Sequence, residues 1–528
     1  MTNYIFVTGG VISGLGKGVT SASIGAILQM LGETKVTIKK LDPYLNIDPG
    51  TMNPIEHGEV FVTDDGSETD LDLGYYERFL EMNMKEENST SSGKLFQQLL
   101  EKERKGCFLG KTVQMIPHFT NIIKEFICSG SNKYDYIICE IGGSIGDIEA
   151  MAFYEALRQL KNEIGSEKVL FIHLTYLVYY SKTKELKTKP TQNTIRDLQH
   201  VGIYPDILVC RTEHLLTDGI RDKLSMYTSL PKSNIIEAID VSSIYQVPLC
   251  FIRENLHSLL SKKFMIQNSL NTEKWSLLNN QINRQMETIT IGILGKYTEL
   301  NDSYKSLIES ISHAGIHHGY KVNILWINAK YTIEHSSNIC GVIVPGGFGT
   351  TGIEEMVSYI KVLREKKIPT FGICLGLQLM VIEFSRNVLG FKKAGSSEFN
   401  DYSPNVIIGM EECVDLHLGG TMRLGSYKIQ LNEGSKACDI YGTNVIFERH
   451  RHRYMVDNLY SHTFKEAGFN ITGRCSTKGL IEVMEMETEQ HPWYLGCQYH
   501  PEYLSSPFKP HPLFVSYIQE CIGNKNKE

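Results

Sequence analysis

The chain has 528 residues, enough for more than one domain with a substantial core. Its apolar share of 42% and charged share of 21% are those of an ordinary globular protein, which excludes a disordered or fibrous chain. The net charge of -7 supplies no basic surface, so nucleic-acid binding is not expected as the main role.

The 12 cysteines include no C-x-x-C pair, which argues against a disulfide framework or zinc site and for a reducing compartment. No apolar run reaches the roughly 18 residues that span a bilayer. The N-terminus enters a strand pattern at once, without a signal-like region. These features predict a cytoplasmic protein.

Tyr4 to Thr8 is a short apolar run that reads as a buried strand. Gly9, Gly10, Gly14 and Gly16 follow, then Lys17 and a helical run from Thr20 to Leu31. Strand, glycine loop, G-K and helix is the order of a phosphate-binding loop, in which free N–H groups at the helix start hold an anion. The strict pattern fails twice. Val11 stands where the first glycine belongs, and Gly18 replaces the Ser or Thr that would hold a metal.

Val36 to Lys40 reads as the second strand, and Lys39 or Lys40 at its end could meet a phosphate. An acidic stretch follows. Asp70 and Asp72 lie two apart and share a face if extended. Carboxylates near a phosphate loop are candidate Mg²⁺ ligands, because Mg²⁺ takes one or two of them plus substrate phosphates. Tyr134 to Glu140 is an apolar strand ending in an acid, which makes Glu140 a second candidate. Val169 to Leu177 and Asp206 to Arg211 are further strands, with the basic loop Lys187 to Gln192 between them. Strands separated by helix-length stretches predict a parallel, doubly wound α/β sheet with ligands at its carboxyl ends.

Residues 253 to 288 look like a helical, polar connector. A synthetase-type domain is expected over 1–265, a linker over 266–287 and a second doubly wound domain over 288–528. In the second domain, strands are expected at Thr288, at Val322 to Trp326 and at Gly341 to Val344. The run P-T-F-G-I-C-L-G-L-Q-L-M puts Cys374 at a sharp strand-to-helix turn between Gly372 and Gly376, before a helix from Leu377 to Phe384. This is the cysteine form of a nucleophile elbow. A base is needed. His500, two residues before Glu502 in C-Q-Y-H-P-E, is one candidate, and Cys497 to Tyr499 reads as the strand before it. His450 and His452, in E-R-H-R-H-R-Y, are rivals, and the arginines around them suit a carboxylate.

The motifs V-T-G-G-V-I-S-G-L-G-K-G, L-D-P-Y-L-N-I-D-P-G-T-M, H-G-E-V-F-V, T-D-L-D-L-G, E-I-G-G-S-I-G-D-I-E, K-T-K-P-T-Q, G-I-C-L-G, G-G-T-M-R-L-G, E-R-H-R-H-R-Y and H-P-E occur in this order. Together they resemble the CTP synthase family along nearly the whole chain, and the C-terminal half alone resembles class I glutamine amidotransferases. The resemblance implies ATP-dependent phosphorylation of UTP at its 4-oxygen, ammonia release from glutamine, passage of ammonia between the sites, and formation of CTP.

By resemblance, Gly14, Leu15, Gly16, Lys17, Gly18, Val19, Asp72, Ile239, Asp240 and Val241 would bind ATP, with Lys40 assisting the phosphates. Ser13, Asp147, Ile148, Glu149, Lys187, Thr188, Lys189, Pro190, Thr191, Gln192 and Lys223 would bind UTP or CTP. Asp72 and Glu140 would hold Mg²⁺. Cys374, His500 and Glu502 would hydrolyse glutamine. Gly347, Leu375, Gly376, Leu377, Gln378, Glu398 and Arg453 would bind it, and His57 would lie near the ammonia exit. GTP activation, CTP inhibition and a homotetramer able to build filaments are implied as well. Tyr75 and Cys107 depart from the family pattern, the first near the ATP pocket and the second in a loop linked to GTP-activated coupling.

Overall fold

The computed structural model describes residues 2–12, 14–32, 34–327, 338–399, 402–410 and 419–525. Ser13 lies outside the described residues. The chain packs as two compact units, Met1–Pro49 with Asp72–Asn283 and Gly50–Leu71 with Arg284–Glu528.

The first unit is built on a seven-stranded sheet among the described residues. In spatial order its strands are Ile235–Ile239, Ile207–Thr212, Val169–Tyr176, Asn3–Gly9, Tyr136–Ile141, Val36–Asp42 and Ser89–Ser91, all parallel. The inner strands are apolar and buried on both faces, as helix-covered parallel strands must be. The first strand of the chain lies mid-sheet, so its glycine loop opens at the carboxyl edge where ligands bind. The helix after it, Lys17–Met30, begins three residues before the expected Thr20.

Lys39 and Lys40 have separate fates because successive strand residues point to opposite faces. Lys39 is buried and donates to Phe126 O at 2.7 Å and Ser129 O at 2.9 Å, closing the end of the helix Thr120–Cys128. Lys40 faces the acidic groups described below. Asp70 and Asp72 do not share a strand face: the strand Glu68–Asp70 ends at one and the helix Asp72–Leu80 starts at the other. Within 266–287, the helix Glu273–Asn283 packs through Trp275 on Phe79, with ring centroids 5.4 Å apart.

The second unit holds a nine-stranded sheet among the described residues. From Tyr320–Ile327 through Glu287–Leu294, Gly341–Val344 and Thr370–Ile373 to Tyr494–Cys497, neighbours are parallel, as expected of a doubly wound sheet. Beyond that point Ile481–Met486, Phe469–Cys475, Arg423–Leu431 and Val445–His452 are antiparallel. Phe469–Cys475, Ile481–Met486 and Tyr494–Cys497 follow one another through short connections, which only antiparallel strands allow, while the helix Lys436–Tyr441 lies between Arg423–Leu431 and Val445–His452. The strand before His500 ends at Cys497, not Tyr499, although the backbone N–H groups of Gln498 and His500 still reach Glu482 O and Arg449 O, each at 2.8 Å.

Gly50–Leu71 belongs to this second unit. It forms a short helix, Pro54–His57, and a hairpin of Val60–Val62 with Glu68–Asp70. Arg449 Nε reaches Asp64 Oδ1 at 2.5 Å, and Arg451 Nε reaches Glu68 Oε1 at 2.8 Å. Two of the arginines read as carboxylate binders therefore hold carboxylates of the chain itself.

Candidate active sites

In the first unit the described residues of the glycine loop turn through positive φ at Val11, Gly14 and Gly16. Val11 has φ +87, a conformation strained for a β-branched side chain, and Gly14 and Gly16 have φ +66 and +96. Gly16 caps the helix Lys17–Met30 without a side-chain bond, so the first-turn N–H groups remain for an anion. Lys17 Nζ donates to Gly143 O at 2.5 Å, and burial pushes its ammonium down from the usual value. Phosphate oxygens at the same place would favour the charged form.

The missing hydroxyl has a structural cause. A Cβ built on Gly18 would overlap Asp72 Oδ1 and stand 2.8 Å from Asp72 Cγ. The Asp72 carboxylate thus fills the space that a Ser or Thr side chain would use. Lys40 Nζ bridges Asp72 and Glu140, at 2.9 Å from Glu140 Oε1, and lies 3.7 Å from Asp42. Tyr76 OH donates to Glu140 Oε2. Burial, and then Asp72, push the Glu140 carboxyl up from its usual range. A further cation between these acids is electrostatically favoured. Among the described residues no cluster of three metal-binding side chains is present. The two carboxylates beside a phosphate loop nonetheless fit Mg²⁺, which draws its remaining oxygens from phosphates and water.

Ile239, Asp240 and Val241 line a cavity of about 140 Å³ with Leu15, Gly16 and Val19, so these candidate ATP residues come together. Arg211, at the end of the strand Ile207–Thr212, was not singled out from sequence. It donates to Gly14 O at 3.1 Å, Leu15 O at 3.2 Å and Asp240 Oδ1 at 2.9 Å, tying the loop to the cavity wall. Its place at a strand end was the available signal.

The candidate UTP or CTP residues are more dispersed. Thr188, Thr191 and Gln192 are buried at the start of the helix Lys189–His200, with Pro190 in its first turn. Gln192 Nε2 donates to Thr188 Oγ1 at 3.0 Å, and Thr191 bonds Thr175 at the same distance. A Cβ on Gly10 would stand 2.6 Å from Thr194 and 3.3 Å from Ile145, so this helix and the loop before Asp147 both border the glycine loop. Asp147, Ile148, Glu149, Lys187, Lys189 and Lys223 are exposed.

In the second unit Cys374 has φ +55, the strained apex expected of a nucleophile elbow. A Cβ on Gly376 would run into Val344 O, and one on Gly372 would stand 2.8 Å from Gly376 C. The flanking glycines therefore let the helix Leu375–Asn387 start against the sheet. Leu377 is fully buried against Gly496.

His500 Nδ1 lies 2.7 Å from Glu502 Oε1. A Cβ on Gly346 would stand 2.9 Å from the imidazole and 3.7 Å from Cys374 Cβ, so this glycine lets ring and cysteine meet. Burial opposes the imidazolium, but Glu502 and Cys374 outweigh it and His500 is pushed up to about 10. The rival bases are engaged elsewhere. His450 sits 3.0 Å from Glu482, and His452 lies 3.2 Å from Arg423 and 2.9 Å from Tyr454 O. Burial pushes both down from the usual value.

Gln378 Nε2 donates to Tyr454 O at 2.9 Å, and Arg453 donates to Thr421 at 2.6 Å. Burial raises the Glu398 carboxyl, which accepts Gly349 N–H at 3.1 Å. Lys296, missed in the sequence, donates to Phe348 O at 3.3 Å beside Gly347, and burial pushes it down to about 8. A cavity of about 50 Å³ opens at Cys374, His500 and Gly347, walled by Pro54, Val60 and Arg451. It has room for a molecule the size of ammonia or water. His57, at the end of the helix Pro54–His57, is exposed and is not part of this wall.

Residues 3–266 match the family profile described as CTP synthase N-terminus, and residues 299–520 match glutamine amidotransferase class-I. A CTP synthase of Hydrogenobaculum sp. is 50% identical over 100% of this chain and 99% of its own length. The chain belongs to the CTP synthase family. Within that family, CTP synthases of Syntrophus aciditrophicus and Aquifex aeolicus are each 46% identical over 100% of this chain, covering 99% and 100% of their own lengths. Among solved structures, the glutaminase domain of Trypanosoma brucei CTPS with bound acivicin is 31% identical, with a TM-score of 0.41, over 44% of this chain and 94% of that one. No helix among the described residues is long and apolar enough to cross a membrane.

Proposed function

We propose that the chain converts UTP to CTP with ATP, using ammonia that it releases from glutamine. The observation that carries this reading is that one chain of this family holds both a strained Cys374 facing His500–Glu502 and a glycine loop facing Lys40, Asp72 and Glu140.

In the amidotransferase half, the Cys374 sulfur attacks the glutamine side-chain amide carbon. The backbone N–H groups of Gly347 and Leu375 receive the charge on the amide oxygen. His500, which has taken the Cys374 thiol proton and so carries the charge, gives that proton to the departing nitrogen, which leaves as ammonia. A water whose proton His500 takes back cleaves the thioester to glutamate. Glu502 holds the ring through Nδ1. Gln378, Glu398 and Arg453 recognise the substrate, with Leu375 to Leu377 lending backbone, and the cavity walled by Pro54 and Val60 takes the ammonia.

In the synthetase half, the loop from Gly14 to Val19 cradles the ATP phosphates and Ile239 to Val241 border the adenine. Lys17 and Lys40 neutralise charge as the γ-phosphoryl passes to the 4-oxygen of UTP. Ammonia then attacks C4 and phosphate leaves, which balances one ATP and one glutamine per CTP. Asp72 and Glu140 would hold Mg²⁺, which screens the phosphate charges when bound. Ser13, Asp147 to Glu149, Lys187 to Gln192 and Lys223 form the UTP and CTP contacts. The exposed ones are completed by another copy in a homotetramer. GTP activates, CTP inhibits, and the enzyme works in the cytoplasm.

Purified protein incubated with UTP, ATP, Mg²⁺ and glutamine should form CTP. No CTP with glutamine or with free ammonia would overturn the reading.

A further inference from the structure

We infer that Gln498 is a further catalytic residue of the glutamine-hydrolysing centre: its side-chain amide holds an N–H against the Cys374 sulfur, and Gln378 keeps it turned that way. This rests on the proposed role of Cys374 as nucleophile.

The orientation follows from a chain of three contacts. Tyr454 O is a backbone carbonyl and can only accept. Gln378 Nε2 donates to it at 2.9 Å, which fixes which end of the Gln378 amide is nitrogen. The same nitrogen stands 3.2 Å from Gln498 Oε1, and an N–H there requires an oxygen opposite. With its oxygen committed, Gln498 presents Nε2 to Cys374, 3.6 Å from Sγ. Turning the Gln498 amide over would set two NH₂ groups against each other and aim a carbonyl oxygen at the sulfur. Gln498 is fully buried, so water cannot compensate for either fault. Its backbone N–H bonds Glu482 O at 2.8 Å, just past the strand Tyr494–Cys497, which holds the residue in place.

The two protonation states of the sulfur use different partners. As a thiol, Sγ–H can donate to Arg451 O, 3.8 Å away. When the S–H bond breaks and the proton passes to His500, the electron pair stays on sulfur. That carbonyl then repels the sulfur, and the Gln498 N–H becomes the matching donor. Hydrogen bonds to an ionised group are roughly twice as strong as neutral ones, so the contact favours the thiolate. It weakens once the C–S bond forms and the sulfur is neutral. Gln498 thus helps to generate and aim the nucleophile, and Gln378 serves both this contact and the substrate.

The test follows iodoacetamide labelling of Cys374 across pH in the full-length protein, together with glutaminase turnover and thermal unfolding. Gln498→Glu places an oxygen against the sulfur, and Gln498→Met removes the donor while keeping the bulk. In either variant, labelling at neutral pH should fall about tenfold relative to labelling at high pH, and glutaminase kcat should fall by at least about the same factor. Should Gln498→Glu fail to fold, Gln498→Met decides. A labelling profile unchanged from wild type, in a variant with wild-type thermal stability, would overturn the inference. Wild-type protein that hydrolyses no glutamine would overturn the role of Cys374 itself, and the inference with it.

Discussion

Arg451 Nε donates to Glu68 Oε1 at 2.8 Å, joining residues 383 positions apart in the chain. The two side chains are only 10% and 2% exposed. Arg451 also donates to Gly50 O at 3.1 Å and lies over the Phe348 ring, while its own carbonyl faces the Cys374 sulfur. One arginine thus binds the segment Gly50–Leu71 to the strand beside the candidate nucleophile. Glu68→Gln removes the counter-charge of that buried guanidinium and should destabilise the second unit by about 3 kcal/mol. Asp64→Asn should cost clearly less, because the Asp64 side chain is 35% exposed. Denaturant unfolding of both variants checks the ranking, and equal losses would contradict it.

The Gly18–Asp72 relationship makes an unusual variant informative. Gly18→Ser restores the standard phosphate-loop residue but drives a Cβ into the Asp72 carboxylate. Asp72 must swing away from Lys40 and from any Mg²⁺. CTP formation should fall at least about a hundredfold with glutamine and with ammonia alike, since charge stabilisation at the phosphoryl group is lost. Glutamine hydrolysis without nucleotides should be spared. Near-normal ammonia-dependent synthesis in this variant would show that Asp72 does not act where the loop hydroxyl usually does.

Much of this was legible because the chemistry is local. The elbow at Cys374 is written in its two flanking glycines, and the phosphate loop in a strand, four glycines and a lysine. The inner parallel strands of the first unit announce themselves as apolar runs with helix-length gaps, whereas the edge strands Ser89–Ser91 and Ile235–Ile239 were not read from sequence. What was not legible depends on distant partners. Nothing near Glu68 in sequence names Arg451, so the departure of Gly50–Leu71 from the first unit has no local signal. The antiparallel half of the second sheet is carried by mixed strands such as Val445–His452, whose buried Arg449, His450 and His452 break the apolar pattern of a core strand and read instead as candidate bases and carboxylate binders. Lys39 and Lys40 separate only when the pleat assigns them opposite faces. Gln498 lay inside a quoted motif, but its amide acquires a direction only from Gln378 and Tyr454 together.

The His500–Glu502 pair makes stability depend on pH in a definite sense. The folded-state pKa of His500 is raised from 6.5 to about 10, so the pair's contribution is complete below about pH 6.5 and fades as pH climbs through about 10. His500→Gln removes it at every pH. The difference in unfolding midpoint between wild type and this variant should therefore be largest near neutral or mildly acidic pH and shrink toward about pH 10. A difference that grows over that range would mean His500 is neutral in the folded protein.

Cys374→Ala separates the two candidate centres. The substitution removes the sulfur but not the glycines that let the helix Leu375–Asn387 pack, and it relaxes only a side chain at the strained turn. Glutamine-dependent CTP formation should drop to background, a loss of at least about a thousandfold, because the proposed nucleophile is gone. With ammonium salt at alkaline pH, where free ammonia is abundant, CTP formation should stay within about twofold of wild type, since the Gly14 to Val19 loop, Lys40, Asp72 and Glu140 are untouched. The comparison is made on one preparation by following CTP with each nitrogen source. Parallel loss of both activities would mean that the cysteine supports the synthetase half directly, and the assignment of ammonia release to the second unit would fall.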